Sequence, residues 1–217
     1  MKKEHMVITV SRQAGSGGSY VGYEVAKELG ITYVDREILR QAAKHLGRDD
    51  ATLDEYEERP SGFLQNFVIL LSLGTPENPY LPPSDRPVYD RDLFDLESRI
   101  INKVATEYDA VIIGRGAFHL LRDQPGAFHV FIHAPRQFRA QRLMKVLSTS
   151  NPSEAQEKMD ESDRRRAKFF KDMTGTSCTD ARNYHLCIDT SLVGLQESVR
   201  LIVDLAKKHH KTGNAEV

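Results

Sequence analysis

The sequence has little of several features that would place it in a specialised class of protein. Its two cysteines, Cys178 and Cys187, are too few for a disulfide framework and favour ordinary thiols in a reducing compartment. Its 30 basic and 31 acidic side chains nearly cancel, and a formal net charge of −1 gives no overall basic field to attract nucleic acid. No apolar run reaches the roughly 18 residues of a membrane span, and the first residues lack the apolar core of a signal peptide. We therefore expect a cytoplasmic protein that binds neither nucleic acid nor a membrane.

The composition that remains is that of a globular protein. The chain has 217 residues, of which 40% are apolar and 28% charged. This fits a single domain, or one core with an inserted lobe. The sequence shows no internal repeat, its histidines lack the spacing of metal ligands, and nothing in it indicates an oligomeric state.

The segment from Met6 to Leu29 organises the rest of the chain. An apolar run at Met6–Val10 is followed by a glycine-rich turn and then by helical periodicity over Tyr20–Leu29. Strand, glycine loop and helix is the order of a phosphate-binding turn, because glycines let successive N–H groups converge where the helix directs its positive end. We call Gly15–Ser19 the glycine loop. A glycine turn without a ligand is the alternative.

The glycine loop matches neither of two common nucleotide-binding patterns completely. In the pattern G-x-x-x-x-G-K-[ST], Gly17 and Ser19 fit, but Arg12 stands at the first glycine and Gly18 at the lysine. In the dinucleotide pattern G-x-G-x-x-G, Tyr20 stands at the last glycine. Its place at the start of an α/β alternation nevertheless favours phosphate binding.

Alternating strands and helices predict an α/β fold, with a five-stranded parallel sheet and helices on both faces. The predicted core covers 6–47 and 91–209, with a lid at about 148–180. Residues 48–90 break the alternation and contain a proline-rich loop, so we expect a helical lobe inserted after the second strand, on the acceptor side, or a partner surface. The later strands are predicted at Ile31–Val34, Asp109–Gly114, Phe128–His133 and Tyr184–Thr190, and the later helices at Asp35 to about Gly47, Asp90–Tyr108, from Pro135, Glu154–Phe170 and Gly194–His209.

Charged residues follow the predicted strands at the edge where open α/β sheets bind ligands. Asp35 and Arg36 come directly after the second strand, and Arg115 stands between Gly114 and Gly116 after the third. Arginine offers a planar fork to phosphate, and flanking glycines allow a ligand to approach closely. The alternatives are a helix cap beside a solvated arginine for the first pair, and a surface turn for Arg115.

Two later helices carry further arginines. The helix after Pro135 holds Arg139 and Arg142 on one face, and we expect these charges to be solvent-exposed. The helix Glu154–Phe170 mixes carboxylates with the arginine run 164–166. Because the acids would repel a nucleic-acid backbone, we favour a flap that closes over a small polyphosphate. A solvated helix with internal ion pairs is the alternative. Together with the glycine loop, these arginines suggest a nucleoside triphosphate and a second phosphorylated molecule, as in phosphoryl transfer.

At this point the chain resembles the cytidylate kinase-like family, a branch of the P-loop nucleoside monophosphate kinases. The resemblance runs from about Met6 to Ala206, apart from the lobe at 48–90. It rests on Ser11-Arg12-x-x-Gly15-Ser16-Gly17-Gly18, Tyr33-x-Asp35-Arg36-Glu37, Gly114-Arg115-Gly116, Asp163-x-x-Arg166-Ala167 and Tyr184-His185-Leu186-x-Ile188-Asp189-Thr190.

The resemblance implies a role for each candidate residue. Asp35, Arg36 and Arg115 would face the monophosphate acceptor, a small nucleotide. Arg164 and Arg166 would meet the transferred phosphoryl group, positioned by Asp160 and Asp163. Magnesium would bridge the donor phosphates, with Ser19 as its protein ligand. The donor phosphates of ATP would lie on Gly15, Ser16, Gly17, Gly18, Ser19 and Tyr20.

The chain also departs from the pattern of true cytidylate kinases. They carry lysine where this chain has Gly18, threonine at Tyr20, aspartate at Ile113 and arginine at Ser162. Arg12 is the nearby cation, and we hypothesise that it replaces the lysine as a catalytic residue. Two functions therefore stand: an ATP-dependent kinase of nucleoside monophosphates or similar small acceptors, and a degenerate nucleotide-binding protein that regulates through the 48–90 lobe.

Overall fold

The computed structural model describes residues 4–36, 39 and 91–213, so the predicted lobe at 48–90 lies outside the described residues. In the described part a short 3-10 turn at Ala181–Asn183 precedes the last strand. The strands are β1 (Val7–Arg12), β2 (Thr32–Val34), β3 (Ala110–Ile113), β4 (Ala127–His133) and β5 (Leu186–Asp189). The helices are α1 (Gly18–Leu29), α2 (Arg91–Glu107), α3 (Ala117–Leu120), α4 (Arg136–Leu147), α5 (Pro152–Thr174), α6 (Thr190–Val193) and α7 (Leu195–Gly213).

The described strands form one parallel sheet, in the order β2-β3-β1-β4-β5. Val7, Ile8 and Val10 on the central strand are fully buried. Because successive side chains of a strand point to opposite faces, their burial means that the sheet is covered on both sides. The predicted α/β fold is thus confirmed. Strand β1 lies between β3 and β4, and the chain passes from β1 to α1 at the carboxyl edge of the sheet. Sheets of this kind bind ligands at that edge, where the strand order reverses.

The boundaries of several elements differ from the sequence prediction. Helix α1 begins at Gly18 rather than Tyr20, because the Val21 N–H already donates to the Gly17 carbonyl, at 2.9 Å. Strand β5 ends at Asp189, whose side chain caps the following helix by accepting from the Ser191 N–H. Helix α7 continues past His209 to Gly213. Within the described residues the predicted strands and long helices follow in the predicted order, the short helices α3 and α6 are additional, and most of the helix predicted at Asp35 to about Gly47 lies outside the described residues.

A second, aromatic core fastens helix α5 to the sheet. Phe169 and Phe170 near the end of α5 pack with Phe118 of α3, with ring centroids 5.2 Å apart for Phe118 and Phe170. The other end of α5 packs on α4 through the fully buried Ala155 and Met159. Most of the segment predicted to be a lid is therefore a 23-residue helix that packs on the rest of the chain at both ends. No helix in the described ranges is long and apolar enough to cross a membrane.

Three histidine rings stack near the amino ends of β4 and β5, away from the glycine loop. The ring centroids of His129 and His185 lie 5.0 Å apart, and those of His185 and His209 lie 5.1 Å apart. His185 Nδ1 accepts from the His129 backbone N–H at 3.0 Å, and the Thr9 hydroxyl contacts His129 Nδ1 at 2.8 Å. Burial, followed by the charges of His185 and His209, lowers the pKa of His129 to about 4, and burial also lowers the pKa of His185.

This stack predicts a loss of stability in mild acid. The pKa of His129 is lower in the folded state than in the unfolded one. The stability that its neutral ring contributes is therefore fully present above about pH 6.5. It is lost as the pH falls from there to about 4. A shift of this size corresponds to about 3 kcal/mol of unfolding free energy. Urea unfolding of wild type and His129→Gln across this window tests it. The variant should show a flatter pH dependence, and equal slopes would contradict the prediction.

Candidate functional site

The glycine loop is held in one conformation by hydrogen bonds to two distant segments and to Gln13, which precedes it. The Ser16 hydroxyl donates to the carbonyls of Gln13, at 2.8 Å, and Ile132, at 3.2 Å. The Thr190 hydroxyl donates to the Ser16 carbonyl at 2.7 Å. The loop is therefore fixed from β4 and from α6 before any ligand is considered, which is the preorganisation that an anion site needs.

Two glycines of the loop combine a left-handed backbone with close neighbours. Gly15 has φ of 83°, and a Cβ there would stand 2.5 Å from the Arg139 carbonyl oxygen. Gly17 has φ of 87°, and its Cβ would stand 2.5 Å from Leu195 Cδ2 and 3.1 Å from Arg142 Nε. Helices α4 and α7 thus press on the outer side of the loop, and the close approach explains why glycine is required at both positions.

Asp163 connects helix α5 to Ala14, the residue directly before the glycine loop. Its Oδ1 accepts from the Ala14 N–H, at 2.8 Å, and from Arg166 Nη1, at 3.0 Å. Its Oδ2 accepts from Arg139 Nη1, at 2.6 Å. Arg139 also donates to the carbonyls of Ala14 and Ala134 and is only 8% exposed. We call these four residues, Ala14, Arg139, Asp163 and Arg166, the Asp163 network.

A small cavity opens between the end of β1 and α5. Its volume is about 60 Å³. Arg12 and Gln13 line it from the end of β1, and Asp163 and Arg166 line it from α5. Of the arginines expected to face the glycine loop, Arg166 lines this cavity, whereas none of the residues Gly15–Ser19 lines it.

Arg12 extends from the end of β1 across the start of α1 to β3. A Cβ on Gly18 would stand 2.5 Å from Arg12 Cβ and 3.0 Å from its Cγ. A Cβ on Gly114 would collide with Arg12 Nη1. The guanidinium group therefore lies against Gly114, one residue before Arg115, with its stem over Gly18.

Arg115 is held at the carboxyl end of β3 by partners on α2 and α5. Its Nη2 pairs with Glu97 Oε2, and its guanidinium carbon lies 4.4 Å from the centre of the Phe169 ring. Its φ of 51° is in the left-handed region, which is uncommon for a residue with a side chain. Burial raises the pKa of Glu97, while the charge and the hydrogen bond of Arg115, followed by the charge of Arg36, oppose that rise.

The other residues predicted for the site lie in different parts of the structure. Asp35 is 1% exposed, and its carbonyl accepts from the Leu39 N–H, so a helical turn opens directly after β2. Ser19 is buried in the first turn of α1, and the Tyr20 hydroxyl accepts from Gln196 of α7 at 3.0 Å. Arg164 lines a separate open groove on α5.

The open groove that Arg164 lines shares no residue with the Asp163 network. It also contains Arg136 and Asp160, which pair with each other at 2.5 Å. The structure therefore places Arg12 and Arg166 on one cavity, holds Arg115 beside Glu97, and leaves Arg164 on a separate groove.

Sequence reasoning missed or misassigned three residues near the site. Arg139 was expected to be exposed, but it is buried because Asp163 and two carbonyls surround its guanidinium group. Arg142 was also expected in solvent, yet its Nε is buried beside Gly17 and makes no hydrogen bond. Glu97 was not identified, although it falls on the apolar stripe of α2, four residues after Leu93.

The described residues contain no group of three or more His, Cys, Asp or Glu side chains that could hold a metal ion. Magnesium is usually held by substrate phosphates with one or two protein ligands, so a dedicated cage is not required. The buried hydroxyl residue Ser19, at the start of α1, fits that shared kind of coordination.

Solved structures share this fold. The chain superimposes on an uncharacterised protein from Eubacterium ventriosum with a TM-score of 0.70 and 20% identity, covering 94% of this chain and 99% of that one. It superimposes on shikimate kinase from Bacteroides thetaiotaomicron with a TM-score of 0.50 and 15% identity, covering 93% and 98%. At these identities the likeness shows the fold alone.

Curated sequences give the closer assignment. The cytidylate kinase of Pyrococcus horikoshii is 28% identical over 210 residues, which cover 96% of this chain and 92% of that protein. The cytidylate kinase of Thermococcus kodakarensis is 29% identical over 210 residues, covering 96% and 91%. A family profile matches residues 7–192, most of the chain, and by that match the chain belongs to the cytidylate kinase-like family.

Proposed function

We propose that this protein transfers a phosphoryl group from ATP to a nucleoside monophosphate, with CMP as the first acceptor to test. The observation that carries the proposal is the cavity that Arg12 and Gln13 line together with Asp163 and Arg166. Phosphoryl transfer depends on positioning two phosphorylated molecules and on neutralising the moving charge, and an arginine opposite a phosphate loop serves both. The names of the archaeal relatives support CMP as the acceptor.

On the donor side, the backbone amides of Gly15–Ser19 and the start of α1 would bind the phosphates of ATP. Bonds to Ser16 from β4 and α6 hold those amides in place, so little reorganisation accompanies binding. Ser19 would be the protein ligand of magnesium, which when bound neutralises charge on the donor phosphates. Tyr20 follows at the first turn of the same helix.

On the acceptor side, Asp35, Arg36 and Arg115 would face the monophosphate. Glu97 and Phe169 fix the guanidinium group of Arg115 from two directions. A guanidinium held in this way presents its remaining N–H groups in a fixed direction, which suits a bidentate contact with phosphate. Arg166 would meet the transferred group, and Arg164 would contribute only if α5 moves its groove toward the loop.

The direct test is a transfer assay with magnesium–ATP and a panel of acceptors. CMP, UMP, dCMP, AMP, GMP, shikimate and gluconate would each be incubated with the protein, and ADP formation would be followed beside a control without acceptor. We expect a nucleoside monophosphate to stimulate ADP formation, with the diphosphate as co-product. Stimulation by shikimate or gluconate alone, or by none of the panel, would reject the proposal.

Replacing Glu97 with glutamine should weaken the acceptor site selectively. The variant removes the charge that orients Arg115 but keeps a side chain of nearly the same shape. We expect the KM for the acceptor to rise by about tenfold, since an oriented, charge-assisted hydrogen bond is worth about 1.5–3 kcal/mol. The affinity for ATP should stay at the wild-type value in calorimetry. Glu107→Gln, on the exposed end of the same helix, is the matched control. An unchanged acceptor KM would show that Arg115 does not depend on Glu97.

The second candidate is a nucleotide-binding protein without kinase activity. Gly18 at the position of the usual lysine favours it, because the missing charge normally follows the β- and γ-phosphates. Calorimetry with ATP and CMP distinguishes the two functions when it is run beside the transfer assay. Tight binding of ATP without any transfer would favour this second candidate.

A further inference from the structure

The backbone at positions 12 and 18 has room for one long side chain but not for two. A Cβ on residue 18 would stand 2.5 Å from Arg12 Cβ and 3.0 Å from Arg12 Cγ. Real Cβ atoms do not approach so closely, so a side chain at 18 would have to start from the volume that Arg12 fills. Arg12 and a lysine at position 18 therefore exclude each other, because their side chains would begin in the same volume.

We propose that Arg12 is a catalytic residue that takes the place of the lysine of the pattern G-x-x-x-x-G-K-[ST]. The inference rests on the proposed transfer from ATP and adds the group that binds the moving phosphoryl. In that pattern the residue at position 12 is a glycine and the residue at position 18 is the lysine. This chain has the reverse arrangement, a long cation at 12 and a glycine at 18.

The course of the Arg12 side chain sets where its charge acts. Its Nη1 lies against Gly114 at the end of β3, and its side chain lines the cavity that Arg166 and Asp163 line from α5. The guanidinium group is thus between the glycine loop and the end of β3 that carries Arg115. A planar fork in this position can contact the transferred phosphoryl and the acceptor phosphate together, whereas a lysine ammonium is a point charge.

The chemistry requires no additional reactant. An oxygen of the acceptor phosphate forms a bond to the γ-phosphorus of ATP, and the bond from that phosphorus to the β–γ bridging oxygen breaks, so ADP leaves with the electron pair. Arg12 keeps its proton throughout and stabilises the negative charge on the equatorial oxygens of the moving group.

The test exchanges the two positions. Arg12→Met keeps the length of the stem over Gly18 but removes the charge, and should lower kcat on the order of 10²-fold. It should also raise the Kd for ATP, measured by calorimetry without acceptor, by about tenfold. Gly18→Lys alone should fold poorly because of the clash with Arg12 Cβ. The double variant Arg12→Gly/Gly18→Lys recreates the complete pattern and should exceed Arg12→Gly in kcat by at least about tenfold, a non-additive effect expected of residues that share one volume.

Control measurements separate this inference from the proposed function. Thermal unfolding of every variant identifies loss of fold, and Arg122→Ala, an exposed arginine paired only with its neighbour Asp123 among the described contacts, controls for loss of a positive charge. Wild-type kcat and ATP affinity in a folded Arg12→Met variant would overturn the role of Arg12. A double variant no better than Arg12→Gly would overturn the exchange. If wild type transfers phosphate to no acceptor, the proposed function fails, and the ATP affinities of wild type and Arg12→Met still decide whether Arg12 binds the donor.

Discussion

A Gly15→Ala variant is expected to lose about 2–5 kcal/mol of unfolding free energy and its measurable affinity for ATP. Left-handed backbone costs a residue with a side chain about 1–2 kcal/mol. Overpacking in a well-filled site adds about 1–3 kcal/mol. Both costs apply here, because φ is 83° and the new methyl would stand 2.5 Å from the Arg139 carbonyl oxygen and 2.8 Å from Arg139 Cβ. Backbone oxygen cannot swing aside as a flexible side chain would, so the loop or helix α4 must shift.

Gly30→Ala is the matched control for this prediction. Gly30 has φ of 66° at the end of α1, but a Cβ there meets nothing within 4 Å. It therefore isolates the backbone cost, which we expect to be about 1–2 kcal/mol. Urea unfolding and ATP calorimetry on both variants separate strain from collision. If Gly15→Ala is no less stable than Gly30→Ala and binds ATP as wild type does, the packing of α4 on the loop is not tight.

The sequence contained enough information for the fold because its strongest patterns are local. The apolar runs at Val7–Val10 and Ala110–Ile113 are buried on both faces, as continuous apolar strands in a parallel sheet are expected to be. Gly17 and Gly30 bracket α1 with left-handed backbone at both ends. Element ends were predicted less well, since they depend on single hydrogen bonds such as that from Ser191 to Asp189.

The site was harder to predict because its charged contacts join distant segments. Arg139 pairs with Asp163 across 24 residues and with Ala14 across 125, and no local pattern separates it from its exposed neighbour Arg136. Glu97 was accessible in principle, since a carboxylate on the apolar stripe of an amphipathic helix requires a cation. Its partner Arg115 could not be identified from spacing, because the contact depends on how α2 packs on β3.

An Asp163→Ala variant is expected to lose about 2–4 kcal/mol of unfolding free energy. Breaking a buried ion pair typically costs about 3–5 kcal/mol because one charge is left uncompensated, and the part exposure of Asp163 places this case lower. Arg139 would keep its bonds to the carbonyls of Ala14 and Ala134 but lose its carboxylate partner. The Ala14 N–H would also lose its acceptor. Hydrogen exchange at the Ala14 amide should therefore accelerate more than exchange at Val10 in the centre of the sheet.

Two further variants distinguish the charge of Asp163 from its hydrogen bonds. Asp163→Asn keeps a carbonyl oxygen that can accept from the Ala14 N–H, so slow exchange at that amide should be retained while part of the stability is lost. Asp160→Asn removes a charge from the same helix, where the pair with Arg136 is largely exposed. Pairs of that kind contribute about 0–1 kcal/mol. The Asp163 network joins α5 to the loop through a buried guanidinium group, whereas the Asp160 pair joins two exposed side chains. Equal unfolding free energies for Asp163→Ala and Asp160→Asn would therefore show that helix α5 is held by its aromatic and apolar contacts alone.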